Sequence, residues 1–229
     1  MKTMICYLCL KSIKEETVWA NFLSPQFRYT CDDCLNQLEE IPPPFCKHCK
    51  KQASPNHQKC DDCKRWANHF GEDPLDQNIS IFTYNEFMKE MMARFKYRGD
   101  YEAVYSFREP LNKAYTTHFA KKHYTLVPIP LSDDRYETRK FNQAEALASL
   151  LKKPIHTQLL KREDTTKQAK RTRTERVLSK NPFHLTNHPP EKILLIDDIY
   201  TTGTTLRQVA SLLKNAGVKN VKALTLIRS

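Results

Sequence analysis

The sequence predicts an α/β chain: a mostly parallel sheet flanked by helices, with a small cysteine-rich module in front of it. Three observations predict this. An apolar run, Ile193 to Ile196, stops abruptly at Asp197 and Asp198; its length and residue types suit a buried parallel strand. A hydroxyl-rich turn, Thr201-Thr202-Gly203-Thr204-Thr205, leads into Leu206, Val209, Ala210 and Leu213 at helical spacing, and Val218 to Ile227 follows as a second strand, completing a βαβ unit. Finally, all eight cysteines fall within the first 63 residues, as four Cys-x-x-Cys pairs.

The strand–loop–helix segment has the plan of a ligand site at the carboxyl end of a strand. A helix N-terminus offers unpaired N–H groups to an anion, and the threonine hydroxyls add donors. Asp197 and Asp198 are placed to take sugar hydroxyls or a divalent cation, so the combination points to a sugar phosphate. Gly203 is expected where a side chain would block a ligand's approach to the backbone, and Gly217 where the following helix must stop.

The cysteine pairs are Cys6/Cys9, Cys31/Cys34, Cys46/Cys49 and Cys60/Cys63, with 21 residues between the first two pairs, 11 between the second and third and 10 between the last two. Each pair can offer two thiolates to one metal, and two pairs complete a tetrahedral four-cysteine site. Sequential pairing gives two zinc-ribbon-like units; a cross-braced pairing fits the same spacing. Repeated knuckles favour zinc over an iron–sulfur cluster or a redox pair, which comes singly. A site closed by four thiolates leaves no open position for catalysis, so the expected role of the two zinc ions is structural. His48, His57 and His69 are then spectators to the metal, and Pro42-Pro43-Pro44 is a stiff spacer between the units.

The chain of 229 residues is long enough for one ordinary domain and a small appended one. It has no stretch of membrane-spanning length and no signal-peptide core, so a cytoplasmic protein without membrane insertion is expected. The formal charge is +11, of which residues 152–180 carry +7 and residues 1–70 only +2. That basic segment suits a polyphosphate or nucleic acid; the plainer reading is a solvated loop. It lacks aromatic residues from 161 to 181, and so lacks stacking platforms of its own.

Along the chain, a polar stretch with Gly71 and Pro74 places a boundary between residues 1–70, the metal module, and residues 71–229, the sheet domain. Ile79 to Tyr84 reads as a strand. Phe87, Met88, Met91, Met92 and Phe95 recur at helical spacing as a core stripe. Lys96-Tyr97-Arg98 closes that helix, either as ordinary cationic capping or as a phosphate contact. A helix is expected over Glu102 to Lys122 with a break near Pro110, a short strand at Leu126–Leu131 and another at Ile155–Leu159. Arg135, Arg139 and Lys140, followed by Asn142 as a helix cap, form a second plausible anion site.

With these residues in view, Asp197-Asp198-Ile-Tyr-Thr201-Thr202-Gly203-Thr204-Thr205 resembles the phosphoribosyl-pyrophosphate (PRPP) motif of type I phosphoribosyltransferases. The resemblance implies that fold, and implies that the acidic pair contacts ribose hydroxyls while the loop holds the 5′-phosphate; Thr204 stands where many members have Gly or Ala. Together with Phe95-Lys-Tyr-Arg-Gly99, Val127-Pro-Ile-Pro130, Arg139-Lys-Phe-Asn-Gln143 and Gln168, the cysteine module and terminal motif resemble the ComF/ComFC competence family over nearly the full length. Lys140 replaces a glycine of that family's pattern and Ser179 an asparagine.

The resemblance implies a part in natural transformation, in the uptake and handling of single-stranded DNA. It also implies a competence helicase from the same operon and other DNA-processing proteins as partners, which would recruit the chain to the inner face of the membrane. Two other functions fit the residues: a phosphoribosyltransferase acting on an unidentified acceptor, and a PRPP sensor without turnover. PRPP is expected with Mg2+, and Arg98 and Arg139 are the leading candidates for the pyrophosphate; for the DNA-handling function, Lys170, Arg171, Arg173 and Arg176 are candidate DNA contacts.

Overall fold

The computed structural model describes residues 4–13, 29–53, 59–97, 99–164 and 181–229. Its centre is a four-stranded, all-parallel sheet in the order β3 (Gln77–Thr83), β8 (Asn220–Arg228), β7 (Lys192–Tyr200), β4 (Thr125–Pro128). Parallel strands bury both faces, and the side chains of β7 divide accordingly. Leu194 and Ile196 join one core cluster; Ile193, Leu195 and Tyr200 join the other.

The first face is covered by α3 (Glu86–Tyr97), a 3-10 helix (Tyr101–Phe107), α4 (Arg108–His118) and α6 (Gln143–Ser149). The Met/Phe stripe of α3 is core as expected, with Met88, Met91, Met92 and Phe95 buried. The break expected near Pro110 within Glu102–Lys122 is present: the 3-10 turn ends at Phe107 and α4 begins at Arg108, two residues ahead of Pro110. Pro110 thus sits in the first turn of α4, where its missing N–H costs nothing. On the second face lie α7 (Thr204–Asn215) and the hairpin of β5 (Leu160–Arg162) with β6 (Phe183–Leu185). Ile155 makes only an isolated bridge to Leu126, so the strand expected at 155–159 is displaced to β5. The short α5 (Asp133–Arg139) lies on the surface with no buried residue.

The cysteine segments dock on both faces. β1 (Met4–Ile5) and β2 (Ser12–Ile13) pair as a small hairpin, and α1 (Asp32–Gln37) follows Cys31. Cys6 and Cys34 pack in the first core, whereas Cys46, Cys49, Cys60 and Cys63 pack in the second. Between the two groups the chain runs beside the outer edge of β3, with Thr83 donating to the Glu39 carbonyl at 2.9 Å and Ile41 to the Ile81 carbonyl at 3.1 Å. This satisfies an edge that would otherwise stay open. The chain ahead of the boundary expected at Gly71 is helical, as α2 (Asp61–Phe70). Among the described residues no helix is long and apolar enough to cross a membrane.

Candidate ligand cavity and the four-cysteine centres

The carboxyl ends of β4 and β7 open on a cavity of about 230 Å³. Asp197, Asp198, Thr201 and Thr205 line one side of it; Arg135, Arg139, Asn142 and Gln143 line another, with Lys96 and Arg162 completing the charged set. Two anion sites were expected from the sequence, but the fold brings their residues into one. Register explains this: Pro128 pairs with Ile196, and Ile129 donates to the Ile196 carbonyl at 2.9 Å, so the chain leaving β4 runs directly past Asp197. Asn142 caps α6 through the Ala144 N–H at 3.0 Å and donates to the Ile129 carbonyl at 3.0 Å, which fixes where the Arg139 turn meets the strand end.

Four cationic side chains face two carboxylates here. Lys96 Nζ lies 2.6 Å from Asp198, so this lysine does not simply cap α3: it reaches into the cavity. Burial and the neighbouring Asp198 charge push Asp197 up to about 7, although it accepts the Asp198 N–H at 2.9 Å. Burial, with the Arg135 charge adding to it, lowers Arg162 to about 10. Arg139 donates to Gln143 at 2.9 Å and lies 5.8 Å from the exposed ring of Tyr97.

Sequence reasoning missed Arg162 as a cavity residue. It lies in the basic segment, but only the β5–β6 pairing aims it across the sheet edge. Arg98, Lys170, Arg171, Arg173 and Arg176 lie outside the described residues.

The loop is held tightly from behind. Gly203, the cap of α7, has φ +76°, and a Cβ there would stand 2.2 Å from Arg207 Nη1 and 2.3 Å from the Tyr200 hydroxyl. Glycine is therefore needed on the interior side of the turn, rather than only for ligand approach. The Thr202 and Thr204 hydroxyls share a 2.7 Å hydrogen bond, and neither residue lines the cavity, unlike Thr201 and Thr205. Arg228 donates to the Thr201 carbonyl at 2.8 Å, and Trp66 Nε1 donates to the Thr202 carbonyl at 2.9 Å.

The cysteines pair sequentially. Cys6, Cys9, Cys31 and Cys34 form one group and Cys46, Cys49, Cys60 and Cys63 the other, with the sulfurs of each group within 4.8 Å of one another. Cys9–Cys31 at 3.7 Å, Cys49–Cys60 at 3.5 Å and Cys46–Cys63 at 3.9 Å bracket the separation of about 3.8 Å that tetrahedral zinc–thiolate bonds impose. The two units repeat one local plan. Leu10 and Lys50 take positive φ, their N–H groups bond back to the Cys6 and Cys46 carbonyls, and Cys31 and Cys60 cap α1 and α2. The residues present fit two zinc ions. His48 joins neither group; it stands 3.0 Å from Asp73.

A parallel sheet with an acid-and-threonine loop at its carboxyl edge, fronted by two four-cysteine centres, defines a phosphoribosyltransferase-like protein with zinc-type modules. Residues 142–229 match the phosphoribosyl transferase domain family. The chain is 40% identical over 231 residues to "Competence protein ComFC" of Bacillus subtilis (strain 168), covering 99% of this chain and 95% of that one. It is 36% identical over 229 residues to the Streptococcus pneumoniae (strain R6) protein of the same name, covering 98% and 100%. With "DNA utilization protein YhgH" of Escherichia coli (strain K12) it shares 25% identity over 199 residues, 81% of this chain and 84% of that one. The chain belongs to the ComF/ComFC competence family.

Proposed function

We propose that the cavity binds PRPP with Mg2+, and that the chain serves natural transformation by handling incoming single-stranded DNA. The observation that carries the ligand reading is the juxtaposition of Asp197, Asp198, Thr201 and Thr205 with Lys96, Arg135, Arg139 and Arg162 in one cavity. Asp197 and Asp198 take the ribose hydroxyls and the cation-bearing side of the ligand. The 201–205 loop at the start of α7 takes the 5′-phosphate. Arg139, Arg135 and Arg162, joined by Arg98, neutralise the pyrophosphate. Residues 1–70 act as the zinc module and 71–229 as the PRPP-binding domain, with the competence helicase and other DNA-processing proteins as partners at the inner face of the membrane.

The DNA reading draws on the relatives' names and on the basic stretch at 152–180. It is tested by fluorescence anisotropy with a labelled single-stranded oligonucleotide across a salt series. Binding is expected to weaken linearly on a log–log plot. Replacing Lys170, Arg171, Arg173 and Arg176 together by Ala is expected to flatten the slope by roughly 3. An unaltered slope would place the contact elsewhere, and no binding at low salt would overturn the DNA role.

A further inference from the structure

We propose that the second four-cysteine centre positions the 201–205 loop through Arg207 and Trp66, so that metal occupancy there and ligand binding in the cavity are thermodynamically coupled. The inference rests on the cavity taking PRPP, and it concerns a residue, Arg207, that has no place in the cavity itself.

Arg207 sits in the first turn of α7 and is fully buried. Its guanidinium holds Asp73 with Nε at 3.0 and 3.1 Å and Nη2 at 2.8 Å, and donates to the Tyr200 hydroxyl. Its Nη2 also lies 3.8 Å from Cys63 Sγ. One residue therefore joins three parts: its side chain touches a metal-type thiolate and the last residue of β7, and its backbone N–H donates to the Gly203 carbonyl of the loop at 3.0 Å. The other knuckle of the same centre reaches the same point. His48, between Cys46 and Cys49, lies 3.0 Å from the Asp73 carboxylate that Arg207 grips. A third connection comes from α2, which is capped by Cys60. Its Trp66 lies 5.1 Å from the Arg207 guanidinium and donates to the Thr202 carbonyl.

Four thiolates around one zinc ion leave a net negative centre, and a hydrogen-bonded guanidinium stabilises it as an outer-shell partner. Loss of the metal lets the four thiolates take up protons, which removes that charge, frees the Cys60 knuckle from which α2 starts, and loosens the Trp66 and Arg207 grips together. The first centre faces elsewhere: Cys6 and Cys34 pack in the core on the opposite sheet face, and among the described residues its Leu8 carbonyl accepts from Arg94 of α3 rather than from the 201–205 loop. The coupling is specific to one of two chemically identical sites.

Linkage is reciprocal, so ligand must protect that metal. The chain has two tryptophans, so a Trp19→Phe background leaves Trp66 as the emission reporter of the second centre. Zinc is withdrawn from the full-length protein by a chromogenic chelator in a stopped-flow instrument, with and without saturating PRPP and Mg2+; separate calorimetry establishes that the ligand binds. The release phase that carries the Trp66 emission change is expected to slow on the order of 5-fold or more with ligand, while the other phase keeps its rate. Trp66→Phe, which keeps an aromatic ring and removes the N–H, is expected to retain both zinc ions and to lose the protection, read by chelator absorbance. Bound ligand with no slowing of the Trp66 phase, or equal slowing of both phases, would overturn the coupling. No heat on titration would overturn the PRPP reading of the cavity, and this inference with it.

Discussion

Lys140 ends α5 with φ +65°, its N–H bonded to the Tyr136 carbonyl at 2.7 Å. This is the left-handed position that glycine fills without strain, and it accounts for the glycine that the family pattern carries there. The Lys140–Glu137 ion pair at 3.0 Å is exposed on both sides and contributes little against that strain. Lys140→Gly is therefore expected to stabilise the protein by about 1 kcal/mol in urea unfolding; a loss of stability would contradict the assignment. Asp197 gives a second prediction. With its carboxyl near 7, ligand affinity is expected to rise from pH 6 to pH 8 as the ionised acceptor fills, and Asp197→Asn is expected to flatten that profile. At this scale the sequence was informative where chemistry is local. Asp197, Asp198, Thr201 and Asn142 could be read from their neighbours; Arg207 could not. It follows Leu206 in a helical pattern like any solvated cation, and its burial is made tolerable by Asp73, brought from a distant segment, together with the Tyr200 hydroxyl at the end of β7.

α7 and β7 are the elements on which the site depends, and both were legible as a short apolar run followed by a helical stripe. The break ahead of Pro110 was legible too, but the 3-10 form of the turn before it was not, because helical periodicity continues across Phe107 while the backbone tightens. Nor was β5, whose three residues form a strand only by pairing with β6. The grip on α7 has a measurable energy. Burial pushes Asp73 upward, but hydrogen bonds from His48 and Arg207 outweigh it and hold the carboxyl below the usual range. That contribution is present above the unfolded carboxylate value of about 4 and is lost as pH falls below it. Asp197 acts in the opposite direction: its raised value favours the folded state at acidic pH, and that contribution is lost as pH rises from about 4 through about 7. Asp73→Ala, leaving Arg207 buried and uncompensated, is expected to cost roughly 3–5 kcal/mol in denaturant unfolding. A cost below 1 kcal/mol would show that the pair is not holding the helix.

On the scale of the whole molecule, one sheet carries a four-cysteine centre on each face and a ligand cavity at its carboxyl edge. The spacing of the cysteines predicted eight ligands for two four-cysteine sites but neither which pairs share a site nor this arrangement, since nothing in a Cys-x-x-Cys pair records its partner pair or which sheet face it will meet. The chain as purified is expected to hold two zinc equivalents by elemental analysis, matching its two sulfur clusters. The central claim, that the cavity is a PRPP site, is tested most directly by isothermal titration with PRPP and Mg2+. The native chain is compared with the Asp197→Asn, Asp198→Asn double variant, whose fold is checked by circular dichroism. Saturable binding to the native chain and its loss in the folded variant are expected; equal affinity in both would contradict a PRPP site.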